Sequence, residues 1–132
     1  MSSEFLNPPG WTAPKGYSNG VSTSGRQIYL AGQIGWNESQ QLVSERFAVQ
    51  VRQALQNIVV LLAQAGGRPE HLVRLTWFVT NLGEYRAELK DIGAAYRDVV
   101  GRHYPPMSVV QVVSLVEQGA KVEIEATAVV PE

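Results

Sequence analysis

Apolar positions recur along the chain at two periods, and each change of period marks a boundary between elements. Phe47, Val51, Ala54, Leu55, Ile58, Leu61, Leu62 and Ala65 fall at steps of three and four, one stripe of an amphipathic helix. This predicts a helix over Glu45–Ala65, with Ser44 as its N-cap and Glu45 in the positive first turn. Gly66-Gly67 supplies a left-handed stop, and Pro69 prevents resumption. The period then changes to two. Val73, Leu75, Trp77 and Val79 alternate with Arg74, Thr76, Phe78 and Thr80, as in a strand. A second helical stripe, Tyr85, Leu89, Ile92, Tyr96, Val99 and Val100, predicts one helix over Glu84–Val100, closed by Gly101.

Either side of this central part the pattern is strand-like. Tyr17–Thr23 and Gln27–Gln33, joined by Ser24-Gly25-Arg26, read as a hairpin with a bulge. Met107–Val116 is apolar at both parities, so a strand covered on both sides is expected. After the turn Glu117-Gln118-Gly119, Lys121–Val130 alternates with Val122, Ile124, Ala126, Ala128 and Val130 inward. Residues 1–16 form an N-terminal arm in which Pro8, Pro9, Gly10 and Pro14 leave no room for a regular element. The resulting order, ββ-α-β-α-ββ, predicts a single α+β domain over residues 1–132: one mixed sheet with two helices packed on one face. Helices on one face leave the apolar residues of the other uncovered, and a closed homo-oligomer is the simplest way to bury them.

Composition narrows the chemistry. The chain has 132 residues, a net charge of −1, no cysteine and two histidines. No disulfide framework, thiolate nucleophile or cysteine–zinc site is available, which fits a cytoplasmic protein. His71 and His103 each lack a metal-type partner nearby in sequence, so no metal is expected. The arginines are scattered and the net charge is slightly acidic, so nucleic acid is not an expected partner. The longest strictly apolar run, Ile58–Ala63, is far short of a membrane span, and Met1–Lys15 lacks the pattern of a secretory signal. There is no G-x-S-x-G elbow and no glycine-rich loop leading into a helix.

Glu123 and Glu125 are the acid–base candidates. Two apart on a strand, they share the face opposite Ile124, about 6.6–6.8 Å apart along it, room for a water or small ligand between them. The ordinary alternative is the solvated face of a half-buried strand. A subunit interface over that face would favour chemistry. Tyr17, beside Gly16 and Ser18-Asn19-Gly20, either leans over a pocket or fills the core edge. Trp11, Trp36 and Trp77 read as packing residues.

Several segments, taken in order, resemble the RidA family (YjgF/YER057c/UK114). They are Gly16-Tyr17-Ser18-Asn19-Gly20, Leu30-Ala31-Gly32-Gln33-Ile34, Trp77-Phe78-Val79-Thr80-Asn81-Leu82, Tyr104-Pro105-Pro106 and Lys121–Val129. The resemblance spans roughly residues 15–130. It implies a chorismate-mutase-like fold and a homotrimer with ligand clefts between subunits. It also implies cofactor-free hydrolysis of reactive enamines and imines to a carbonyl compound and ammonia. By the same resemblance Tyr17 lines the pocket, Gly32 forms a wall that lets ligand approach the backbone, and Glu123 positions or activates the attacking water. The main chain near Val109 would lie at the cleft.

The sequence departs from the family at three points. Met107 stands where the deaminases carry the arginine that grips the substrate carboxylate, a bidentate pairing that methionine cannot supply. Val109 replaces a frequent cysteine, and the family's helix asparagine falls near Leu89 or Lys90. The expected ligand is therefore a metabolite different from simple amino-acid-derived imines and less anionic, unless a neighbouring arginine such as Arg102 reaches in. Beside this hydrolase stands a second reading, a non-catalytic metabolite-binding or protein-protecting trimer. A ribonuclease, an older label for some relatives, is disfavoured by the charge.

Overall fold

The computed structural model describes residues 3–132. Its centre is a four-stranded mixed sheet made of β3 (Arg26–Ile34), β4 (Leu72–Val79), β5 (Met107–Gln111) and β6 (Val122–Val130), in the order β3-β6-β4-β5. β6 runs antiparallel to both neighbours, and β5 lies parallel to β4 as the edge strand. The helices α1 (Phe47–Gln64), α2 (Leu82–Ala87) and α3 (Leu89–Val99) accompany this sheet. Val122, Ile124, Ala126 and Ala128 of β6 are buried with Leu75, Trp77 and Val79 of β4 and the stripe of α1, as the alternation predicts. The fold is α+β, as expected.

The expected hairpin does not form. Tyr17–Thr23 yields only β2 (Gly20–Ser22), which pairs with β1 (Glu4–Leu6) in a separate two-stranded sheet. The N-terminal arm therefore does contain a strand, placed before its first proline. The partner of β3 is β6, whose Ala126 and Ala128 lie opposite Leu30 and Ile28. Gly25 is the point where the chain crosses the end of β6 rather than a hairpin turn. Its φ is 147°, and a Cβ there would stand 2.2 Å from the carbonyl oxygen of Val130.

The start of α1 and the extent of the second helix differ from expectation. Ser44 does not cap α1; its hydroxyl accepts from Arg46 N–H at 3.0 Å, and the helix begins two residues later than predicted. The first-turn amide of Ala48 instead donates to the Glu88 carboxylate at 3.2 Å. Glu88 lies at the break that divides the expected single helix into α2 and α3. Interrupting the helix there places an anion at the positive end of α1. Asn81 caps α2 by accepting from Glu84 N–H at 2.9 Å. At the far end of α1 the Gly66-Gly67 stop forms as expected, with Gly66 at φ 79° and Gly67 N–H donating to Leu62 at 2.7 Å.

In β4 a bulge sets Leu72 opposite Ala128 and Arg74 opposite Thr127. Leu72, rather than Val73, therefore joins the core. β5 is shorter than the predicted Met107–Val116. Met107 and Val109 pack against the core, but Val113 and Val116, past the strand's end, are fully exposed. Within one chain the strand is covered on one side only.

Candidate functional site

A cleft of about 510 Å³ opens on the helix side of β5. Its position follows from register. Met107 and Val109 lie beside Leu75 and Trp77, so both point to the sheet face that the helices cover. Tyr17 reaches the same place because its neighbour is tied down. Ser18 N–H donates to Pro105 at 3.3 Å, the Ser18 hydroxyl donates to the carbonyl of Tyr104, and Ser18 forms a bridge with Pro106. Tyr17 lines the cleft while 42% exposed.

Aromatic rings form the cleft's inner part. Tyr96 stacks on Tyr104 with centroids 5.3 Å apart and lies nearly parallel to Trp77 at 6.5 Å. Tyr85 meets Trp77 edge-on at 6.4 Å. Tyr85 and Tyr96 belong to the predicted helix stripe and Trp77 to the strand alternation; Trp77 and Tyr96 lie in the core, and Tyr85 and Tyr104 pack partly buried against it. Trp77 is only 3% exposed, and its indole Nε1 has no hydrogen-bond partner.

The Tyr96 hydroxyl donates to the His103 carbonyl at 2.6 Å, and burial, followed by the neighbouring Tyr104, raises its pKa well above the ordinary 10.0. Burial raises that of Tyr85 as well. The folded state therefore resists deprotonation. Its stabilisation is complete below pH 10, the unfolded value, and is lost as pH climbs toward the folded one. Denaturant midpoints measured from pH 8 to 11 should fall with a shallower slope in Tyr96→Phe than in the parent, although the variant starts about 1 kcal/mol lower for its lost hydrogen bond. Equal alkaline slopes would contradict this account.

Gly32 and Glu123 lie elsewhere in the chain. β3 carries an extra residue between Leu30 and Gln33, and this bulge brings Gly32 against Glu123. A Cβ on Gly32 would stand 2.2 Å from the Glu123 carboxylate, so only glycine leaves the carboxylate in place. Glu123, Glu125 and Thr127 alternate with the buried residues of β6 and face away from the helices. The sequence-derived site residues thus form two groups on opposite faces of the sheet: Tyr17, Met107 and Val109 in the cleft, Gly32 and Glu123 on the open face.

Arg102 is not among the residues lining the cleft, whereas Arg97 and Lys15 are. Among the described residues no cluster of histidine, cysteine or carboxylates is suited to a metal, and no helix is long and apolar enough to cross a membrane.

Residues 10–130 match the family model described as endoribonuclease L-PSP. The human 2-iminobutanoate/2-iminopropanoate deaminase is 32% identical over 122 residues, 92% of this chain and 83% of that protein. The chain belongs to the RidA/YjgF family. Among solved Rid structures, YyfB from Yersinia pestis, of unknown function, superimposes with a TM-score of 0.85 at 32% identity, covering 98% of this chain and 100% of its own. Rv2704 from Mycobacterium tuberculosis, a member of the YjgF/YER057c/UK114 family, gives a TM-score of 0.66 at 30% identity over 98% of this chain and all of its own. Rid-family membership agrees with the fold resemblance drawn from the motifs. Cleft-lining residues that the sequence reading did not single out as site candidates include Lys15, Tyr85, Tyr96, Arg97 and Tyr104. The usable sign was Gly93, a helix-disfavouring residue in the middle of an otherwise regular stripe.

Proposed function

We propose that this chain is a Rid-type hydrolase of reactive enamines or imines, acting as a homotrimer in which the open sheet face of one subunit meets the β5 edge of the next. The observation that carries the reading is the Gly32–Glu123 contact. A bulge and a glycine are both spent on holding one carboxylate on an exposed face, where the fold of a single chain has no need of it. In the trimer Glu123 of one copy would join the Tyr17–Met107–Val109 cleft of another. β5 suits such a junction, because as the edge strand it keeps one row of backbone donors and acceptors unpaired.

In this mechanism the substrate nitrogen is already protonated as an iminium, and Glu123 takes a proton from water as the oxygen adds to the C=N carbon, giving a neutral carbinolamine. Glu123 returns that proton to the amino nitrogen and accepts the hydroxyl proton as the C–N bond breaks, so that ammonia leaves, a carbonyl compound remains and the carboxylic acid then loses its proton to solvent. Tyr17 covers the ligand, and backbone amides of β5 bind its polar end. No metal or organic cofactor takes part. Met107 cannot make the bidentate grip of an arginine, so the preferred substrate differs from the small imino acids of the deaminases.

The test supplies imines from an amino-acid oxidase or dehydratase and follows 2-oxo acid release. Release above the buffer rate is expected for the parent protein. Met107→Arg should raise the rate on small imino acids several-fold. Buffer-level rates for both proteins with every imine tried would end the hydrolase reading and leave ligand binding without turnover.

A further inference from the structure

α3 carries a glycine in its interior, a position where glycine is disfavoured and where the fold makes no use of it. The reason is the residue one turn on. A Cβ at Gly93 would stand 3.2 Å from Arg97 Nη1, so the guanidinium lies back over the bare backbone of Gly93. Both residues line the cleft, and Lys15 lines it from the N-terminal arm. Neither cation has a carboxylate within ion-pair distance among the described residues, where the pairs are Arg52–Asp98, Arg68–Glu70 and Lys121–Glu84. Around them the lining is apolar or aromatic, with Leu89, Ile92 and Val109 beside the Trp77–Tyr96–Tyr104 stack.

We propose that Arg97, laid over Gly93, reads the carboxylate of the substrate, and that the cleft selects 2-imino acids with a bulky apolar or aromatic side chain. This rests on the reading of the cleft as a substrate site. The anionic grip has moved from the strand position held by Met107 to the helix. The space a strand arginine would take is left to the ligand's apolar part. At about 510 Å³ the cleft is in the usual range for small-molecule sites and is far larger than a three- or four-carbon imino acid requires. Arg97 is exposed at the rim of this largely apolar lining, where its guanidinium can form charge-assisted hydrogen bonds to a carboxylate, and the half-buried rings of Tyr85 and Tyr104 give a flat side chain a surface to pack on.

Binding of stable 2-oxo acids tests this without relying on turnover. The probes are phenylpyruvate, 2-oxobutanoate and the uncharged phenylacetone, each titrated calorimetrically into the full-length protein. The parent should bind phenylpyruvate about ten-fold or more tightly than either of the others. Arg97→Gln should lose about ten-fold or more in phenylpyruvate affinity and leave phenylacetone unchanged. Gly93→Ala supplies the folding control. It favours the helix, and its methyl group, 3.2 Å from Nη1, shifts the guanidinium by a few tenths of an ångström, so it should melt no lower than the parent while binding phenylpyruvate slightly more weakly. Undiminished phenylpyruvate binding in Arg97→Gln, a parent preference for 2-oxobutanoate, or loss of the oligomer on changing Arg97 would each overturn the proposal. Glu123→Gln separates it from the hydrolase reading. Undiminished turnover in that variant defeats the catalytic assignment, whereas altered binding in the arginine variant concerns recognition alone.

Discussion

Glu123→Gln is expected to lower imine hydrolysis by about 10²–10⁴-fold, the usual contribution of a positioned general base. Glutamine keeps the shape and the hydrogen-bonding reach of the side chain but cannot take a proton from water. Phenylpyruvate affinity should change little, because the carboxylate serves the water rather than the ligand's acid group. Gly32→Ala should reproduce the loss without touching the carboxylate. Its Cβ would come within 2.2 Å of Oε2 and 2.7 Å of Cδ, so the side chain must swing away. Single-turnover rates of 2-oxo acid release, with circular dichroism to confirm folding, decide the matter. A Glu123→Gln protein retaining more than half the parent rate would remove Glu123 from the mechanism.

Gln50→Leu is expected to be the most destabilising of the single changes considered, by about 3–5 kcal/mol, because several buried backbone groups lose their partner together. Gln50 is fully buried in α1, and both its amide N–H groups and its carbonyl oxygen are hydrogen-bonded. Nε2 donates to the carbonyls of Ser44 at 2.9 Å and Gly119 at 3.0 Å, and Oε1 accepts from Lys121 N–H at 2.8 Å. One side chain thus joins the entry to α1, the turn before β6 and the start of β6. Gly35 lies so close that a Cβ there would be 2.6 Å from Gln50 Cα, so the helix packs tightly against the end of β3 at this point. Leucine matches the volume and satisfies none of the groups. The melting temperature should fall by roughly 10–20 °C. A drop of less than a few degrees would show that the three backbone groups find other partners.

Core positions were legible wherever one period ran unbroken. The stripe of α1 and the alternation of β6 are local patterns, and each could bury its apolar face in only one orientation. The misreadings lie where a residue serves a distant segment. Ser44 and Glu88 both suit a helix N-terminus by type, but only packing brings Glu88 to Ala48 and leaves Ser44 a local turn. Gly25 suits a hairpin link equally well, until the end of β6 is laid against it. Val73 follows the alternation and loses its place in the core to a bulge that no local pattern announces.

The candidate site divides in the same way. The residue types came from the chain alone: a carboxylate on the polar face of its last strand, a glycine and a tyrosine in motifs shared with the Rid family, and a methionine in place of an arginine. Their grouping did not. Strand order and register set Met107 and Val109 beside the aromatic stack and put Glu123 on the reverse face with Gly32, while the packing of α3 on the sheet brings Arg97 to the same cleft. A one-dimensional pattern records which face of its own element a side chain occupies. Which other elements that face meets depends on long-range pairing, and there the packed fold assigned the cation to the cleft.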